Sequence, residues 1–231
     1  MIWFDNISSD SVKVIVERYP ERTIPNRKTD VVSVPGRNGD IIFQQDAYEN
    51  YEQKYEIYIS AKKAGLNNIV PAVVEWLLKD GYRRLEDSYE PEVYRMAYYS
   101  GGAEIKNYLN EYGRTTIRFK CMPQRWLKSG EYPIAMQKGG KLHNPTAFAA
   151  KPLIKVIGSG NGLLTVGDSE IALTGIDGYL MIDSEMMHCY KEDQNCNSKM
   201  SGTFPKLGRE TTVTWSGGIN SVIITPRWYT I

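Results

Sequence analysis

The chain has 231 residues, 42% of them apolar and 24% charged, and its 28 basic residues face 27 acidic ones for a net charge of +1. So even a balance excludes the clustered basic excess of a nucleic-acid footprint, and no apolar run approaches the roughly 18 residues of a membrane span. The opening MIWFDNISSD lacks the cationic and apolar blocks of a secretory signal. Of the three cysteines, which have no CxxC spacing, Cys189 and Cys196 lie close enough in sequence to pair, but free thiols of a reducing compartment are the favoured reading.

Period-two alternation, the mark of half-buried strands, dominates from the start. VKVIVERY (12–19) sets Val12, Val14 and Val16 on one face. VPGRNGD (34–40) follows, a turn by its Pro-Gly and Asn-Gly dipeptides. QKYEIYI (53–59) alternates Tyr55, Ile57 and Ile59 against Lys54, Glu56 and Tyr58. One segment changes period: residues 66–81, LNNIVPAVVEWLLKDG, predict the chain's single amphipathic helix, capped by Asn67 or Asn68. Pro71 is expected in its first turn and Gly81 just past its end, with Val73, Val74, Leu77 and Leu78 packed on a sheet. VYRMAYY (93–99) and TTIRFKCM (115–122) return to strand periodicity.

From Met122 to Pro152 the texture becomes that of a linker with short crossing strands, rich in proline, glycine and small residues. Beyond it, six or seven short strands at intervals of about 8 to 12 residues predict a β-sandwich. Two domains follow, 1–140 and 141–231, in a mainly β protein whose N-terminal domain carries the one helix. GSGNG (158–162) reads as a hairpin turn, since no helix follows to make it a phosphate cradle.

Candidate chemistry is sparse. His188, Cys189 and Cys196 lack a fourth ligand for zinc. Asp183 and Glu185 would share one strand face instead of flanking a substrate, and no serine elbow is present. Trp215 and Trp228 could stack on sugars but fit the sandwich core better. No catalytic residue, metal or cofactor is expected. The 16 Tyr and 5 Trp against 5 Phe suit surfaces that partners bury.

Taken in order, VPGRNGD, the WLL helix, the YYS hairpin and FKCMPQRW (119–126) resemble the N-terminal part of siphophage distal tail proteins. AKPLIKVIGSGNGLLTVGD, YLMIDSEMMHCY, GTFPKLGRETTVTWSGG and the closing IITPRWYTI extend the resemblance over nearly the whole chain. The loop GRETTVTW departs from the family, which often has a Gly-Asn pair there. The resemblance implies an N-terminal β-sandwich with a hairpin and a helix, then a galectin-like sandwich, in the short form without an inserted carbohydrate-binding module. It implies a homo-hexameric ring at the distal end of the virion's tail, joining tail tube to tail-tip hub and in some phages carrying receptor-binding proteins. A lectin-like wall-adhesion protein is the alternative reading. The expected ring contacts lie in strands around residues 41–59 and 93–119, with Arg37, Asp40, Lys54, Tyr55, Tyr58 and Arg118 as candidate interface residues.

Overall fold

The structure, a computed structural model, describes residues 1–231 apart from the side chain of Lys63. It is mainly β with one α-helix, and it divides into a first unit of residues 1–125 with Ile231 and a second of residues 126–230.

In the first unit the strands are β1 (Ile2–Phe4), β2 (Ile7–Ser8), β3 (Val14–Val16), β4 (Arg27–Val32), β5 (Ile41–Tyr48), β6 (Tyr51–Ser60), β7 (Arg83–Asp87), β8 (Val93–Tyr99), β9 (Lys106–Tyr108) and β10 (Tyr112–Leu127). They build an antiparallel sheet in the order β2-β1-β7-β8-β10-β6-β3, with β9 added on β10. The alternation in β6 does what its pattern dictates. Tyr55, Ile57 and Ile59 are buried beside Ile117 and Phe119 of β10, while Lys54, Glu56 and Tyr58 face outward. β4 and β5 stand apart as a two-stranded ribbon of their own.

Helix α1 spans Leu66–Leu77 and buries Leu66, Val73, Trp76 and Leu77. The expected packing face was offset by a residue: Val74 and Leu78 are exposed, and the Trp76 indole N–H instead donates to the Ile7 carbonyl at 3.2 Å. Neither Asn67 nor Asn68 caps it. Gly65 stands at the N-cap, and the cap comes from a distant turn, where Asn110 takes the Leu66 N–H on its carbonyl (2.8 Å) and the Asn67 N–H on its side chain (3.2 Å). Pro71 lies inside the helix, not in its first turn.

The second unit holds β11 (Ile134–Ala135), β12 (Gly140–His143), β13 (Leu153–Val166), β14 (Ser169–Asp183), β15 (His188–Lys191), β16 (Gln194–Asn195), β17 (Met200–Gly202), β18 (Glu210–Thr225) and β19 (Tyr229–Thr230). Its sheet runs β11-β18-β13-β14-β15-β16, with β12 on β18 and β17 on β14. The six or seven short strands of the sequence are largely three long bent ones, β13, β14 and β18. GSGNG is accordingly no hairpin turn. It lies within β13, at a bulge that pairs Gly158 with Gly178 and Gly162 with Gly217. The strands approach too closely there for side chains, since a Cβ on Gly158 would stand 2.1 Å from the Gly218 carbonyl oxygen. The irregularity also shifts which residues face inward. In β14 the buried set passes from Ile171 and Leu173 to Ile176, Leu180 and Ile182, so both halves of the strand feed one core.

The division between units falls at Arg125–Trp126, upstream of the position near residue 140 read from composition. Residues after 125 belong to the second unit because β11 and β12 both pair with β18 and the Leu127 N–H donates to the Trp228 carbonyl at 2.8 Å.

Candidate assembly surface

The β4–β5 ribbon is where sequence and burial part company. VPGRNGD closes it as a turn: the Arg37 N–H donates to the Val34 carbonyl at 3.1 Å, with Gly36 and Gly39 at φ of 81° and 80°. Arg37 and Asp40 are both exposed on this turn. On the strands, Val31 pairs with Ile42 and Val32 with Ile41, placing apolar side chains on both faces. Val31, Ile42 and Phe43 are 58%, 59% and 57% exposed, and β4 has no buried residue at all. The side-chain bonds of the ribbon are largely internal, with the Arg27 guanidinium donating to Gln44, Gln45 and Asp46 and Gln45 donating to Asp30. An isolated hairpin is marginal in water, and an open edge beside exposed apolar residues is a template for another chain.

The approach to the ribbon is held firmly. Between β3 and β4, the Thr23 hydroxyl donates to the Glu52 carbonyl (3.1 Å), the Gln53 side chain donates to the Glu21 carbonyl (3.1 Å), and Tyr19 packs on Tyr89. Next to this strap lies a buried charge network. Arg95, 1% exposed, donates to Asp87 (3.1 Å), to the Tyr51 hydroxyl (3.1 Å) and to Glu90, and Arg125 also donates to Glu90 (2.7 Å). Buried charges persist when they are paired and hydrogen-bonded like this. The segment leading into the ribbon is therefore tied to the first sheet by hydrogen bonds.

The remaining expected interface residues fall in two places. Lys54, Tyr58 and Arg118 lie on the outer face of the first sheet, where Lys54 and Arg118 are register partners that both approach Glu52, at 3.4 and 3.9 Å. Tyr58 joins an aromatic row there, packing on Tyr112, which stacks on Tyr108 at 4.8 Å. Tyr55 is a correction. It is 1% exposed, and its hydroxyl donates to Asp87 at 2.9 Å. Burial and then the Asp87 carboxylate hold that hydroxyl well above its ordinary pKa, so it is a core residue that no partner can reach. Its neighbour Tyr51 is buried as well. Val31 and Val32 fall outside the strands expected to carry ring contacts, whereas Ile42 and Phe43 lie within the expected 41–59. The signal was legible as VVSV and IIF, apolar at both parities on either side of one turn.

The alternative chemistries lose their geometry. Asp183 ends β14 and Glu185 lies in the turn beyond, so they share no strand face. Arg227 grips Asp183 with two nitrogens at 2.7 and 2.9 Å, and the Glu185 and Met186 N–H groups donate to it. Burial works against the Asp183 charge, but these donors outweigh it and hold the carboxyl below its usual range, the opposite of a general acid. Glu185 pairs with Lys151 at 3.4 Å. His188 stacks on Tyr190, two residues along β15, whereas Cys189 between them is buried in the core. Trp215 and Trp228 are buried, leaving no aromatic platform for a sugar at either position.

Residues 8–121 match the family profile of the phage tail protein RIFT-related domain. Along its whole length the chain has the fold of Dit (gp 19.1) of phage SPP1, described as a paradigm of the hub adsorption apparatus in phages infecting Gram-positive hosts. That likeness has a TM-score of 0.78 at 11% identity and covers 100% of this chain and 98% of the other. No curated protein sequence matches. The chain thus matches a phage tail family over residues 8–121 and shares its fold throughout with a siphophage Dit protein.

Proposed function

We propose that the protein is a ring-forming hub at the distal end of a siphophage tail, in which six copies join the tail tube to the tail-tip hub protein and offer sites to receptor-binding proteins. Residues 1–125 form the ring, and the second unit is a galectin-like module. The reading is structural, with no catalytic step. The single observation that carries it is the β4–β5 ribbon, anchored at its base and apolar on both faces. A cyclic assembly needs a heterologous contact whose rotation closes, and an edge ribbon seated on the next copy supplies one. Arg37 and Asp40 at its tip, with Lys54, Tyr58 and Arg118 on the outer sheet face, are the polar residues assigned to that contact.

The test is light scattering with negative-stain imaging of the purified protein, alone and with its tail-tip neighbour. A six-fold ring is expected, and the double variant Ile42→Asp, Phe43→Ser should remain folded yet fail to assemble. Rings from the variant would remove the ribbon from the interface, and rings of another symmetry would reject the hub reading.

A further inference from the structure

The second unit carries a covalent option outside any assembly role. Extending the β15–β16 register, in which Tyr190 faces Asn195 and Lys191 faces Gln194, sets Cys189 opposite Cys196. The Cys196 N–H donates to the Cys189 carbonyl at 2.8 Å, which fixes this rung directly. Two further bonds hold the pair in place: the Cys189 N–H donates to the Asn197 side-chain oxygen at 2.6 Å, and the Lys199 N–H donates to the Cys196 carbonyl at 2.9 Å. Opposed residues of an antiparallel pair point to the same side of the sheet, and both thiols lie in the same buried core. Opposed residues of an antiparallel pair stand about 4.5–5.5 Å apart at Cα, inside the roughly 4.4–6.8 Å a disulfide spans.

We propose that Cys189 and Cys196 form a dithiol that closes to an intramolecular disulfide when a low-molecular-weight disulfide oxidises it, pinning the β15–β16 hairpin after the protein leaves a reducing compartment. The inference rests on the geometry of this hairpin; the virion reading supplies only the oxidising setting. The exchange balances with glutathione disulfide as oxidant. One cysteine thiolate attacks a glutathione sulfur and expels a glutathione thiolate, giving a mixed disulfide. The other cysteine thiolate attacks the protein sulfur of that bond and expels the second glutathione thiolate. Two cysteine protons are lost, two thiols are oxidised and one disulfide is reduced to two thiols.

Burial sets the pace. It pushes the Cys189 thiol up to about 11, so little thiolate exists at neutral pH, and attack requires opening at β16, an exposed strand at the end of the sheet order. The third cysteine, Cys121, is buried in the first unit, and burial pushes it up to about 12. It has no partner thiol and stays reduced.

The experiment incubates the folded, purified protein with glutathione disulfide at about pH 9, followed by intact-mass measurement and peptide mapping after alkylation in denaturant. The expected result is loss of two hydrogen atoms, a Cys189–Cys196 cross-linked peptide and full alkylation of Cys121. Recovery of three alkylated cysteines overturns the proposal, as does a glutathione adduct that persists on either hairpin cysteine. Cys196→Ala leaves the attacking thiol without its resolving partner, so this variant should keep the adduct that the parent protein loses. If it does not fold, the parent's peptide map still decides the question.

Discussion

The β4–β5 ribbon and the β13–β14 pair are both consecutive antiparallel strands rich in β-branched and apolar residues, and they meet opposite fates. In β13 and β14, Ile154, Val156, Leu164, Ile171 and Leu180 are completely buried. In β4 and β5, Val31, Ile42 and Phe43 are more than half exposed. The difference lies in neighbours. β18 pairs along nearly the whole of β13, and the bend at the glycines lets both halves of the sheet share one core. The ribbon has no third strand and no covering layer in its own chain. Strand preference is thus common to both pairs, and only the second completes its burial within one chain.

The comparison can be broken most directly by truncation. Leu180→Ala should cost about 2–5 kcal/mol through lost burial and a cavity, whereas Val31→Ala in the isolated chain should stay within about 0.5 kcal/mol. Urea unfolding of the two variants measures both, and equal losses would mean that the ribbon is packed in the monomer after all.

A smaller effect is expected at the edge of the second core. Arg227→Ala leaves the Asp183 carboxylate without its fork and should cost about 2 kcal/mol at pH 7. Because Asp183 is held below its unfolded value, the contribution is complete above about pH 4 and is lost as pH falls through the lowered folded value. The stability gap between parent and variant should therefore close in acid, and a gap independent of pH would assign the loss to packing instead. Asn110→Ala removes the remote side-chain cap of α1 and should cost about 1 kcal/mol. Thermal unfolding of this variant, set beside Asn68→Ala, tests whether the distant residue is the one that matters.

Much of the fold is legible in the chain. The alternation of QKYEIYI assigned the right residues to the inner face of the first sheet, and the change of period at residue 66 marked the helix. Less of the assembly surface is legible, for specific reasons. Tyr55 looked like contact area because tyrosine suits interfaces, yet its parity already placed it with Ile57 and Ile59, and Asp87 waits in the core to accept its hydroxyl. Asn67 and Asn68 looked like caps because they are adjacent in sequence. The actual cap, Asn110, lies 43 residues from Asn67, and no local pattern encodes such a meeting.

Two kinds of information separate cleanly here. Residue order by itself determined the mainly β class, the parity of β6, the single helix and the turn chemistry of VPGRNGD, because these depend on steric preferences and periodicities acting over a few residues. Only the tertiary structure decided that GSGNG bends a strand instead of ending one, that Asp183 belongs to Arg227, and that the apolar strands around VPGRNGD remain uncovered. Each of these depends on which distant backbone comes close, and periodicity carries no record of that.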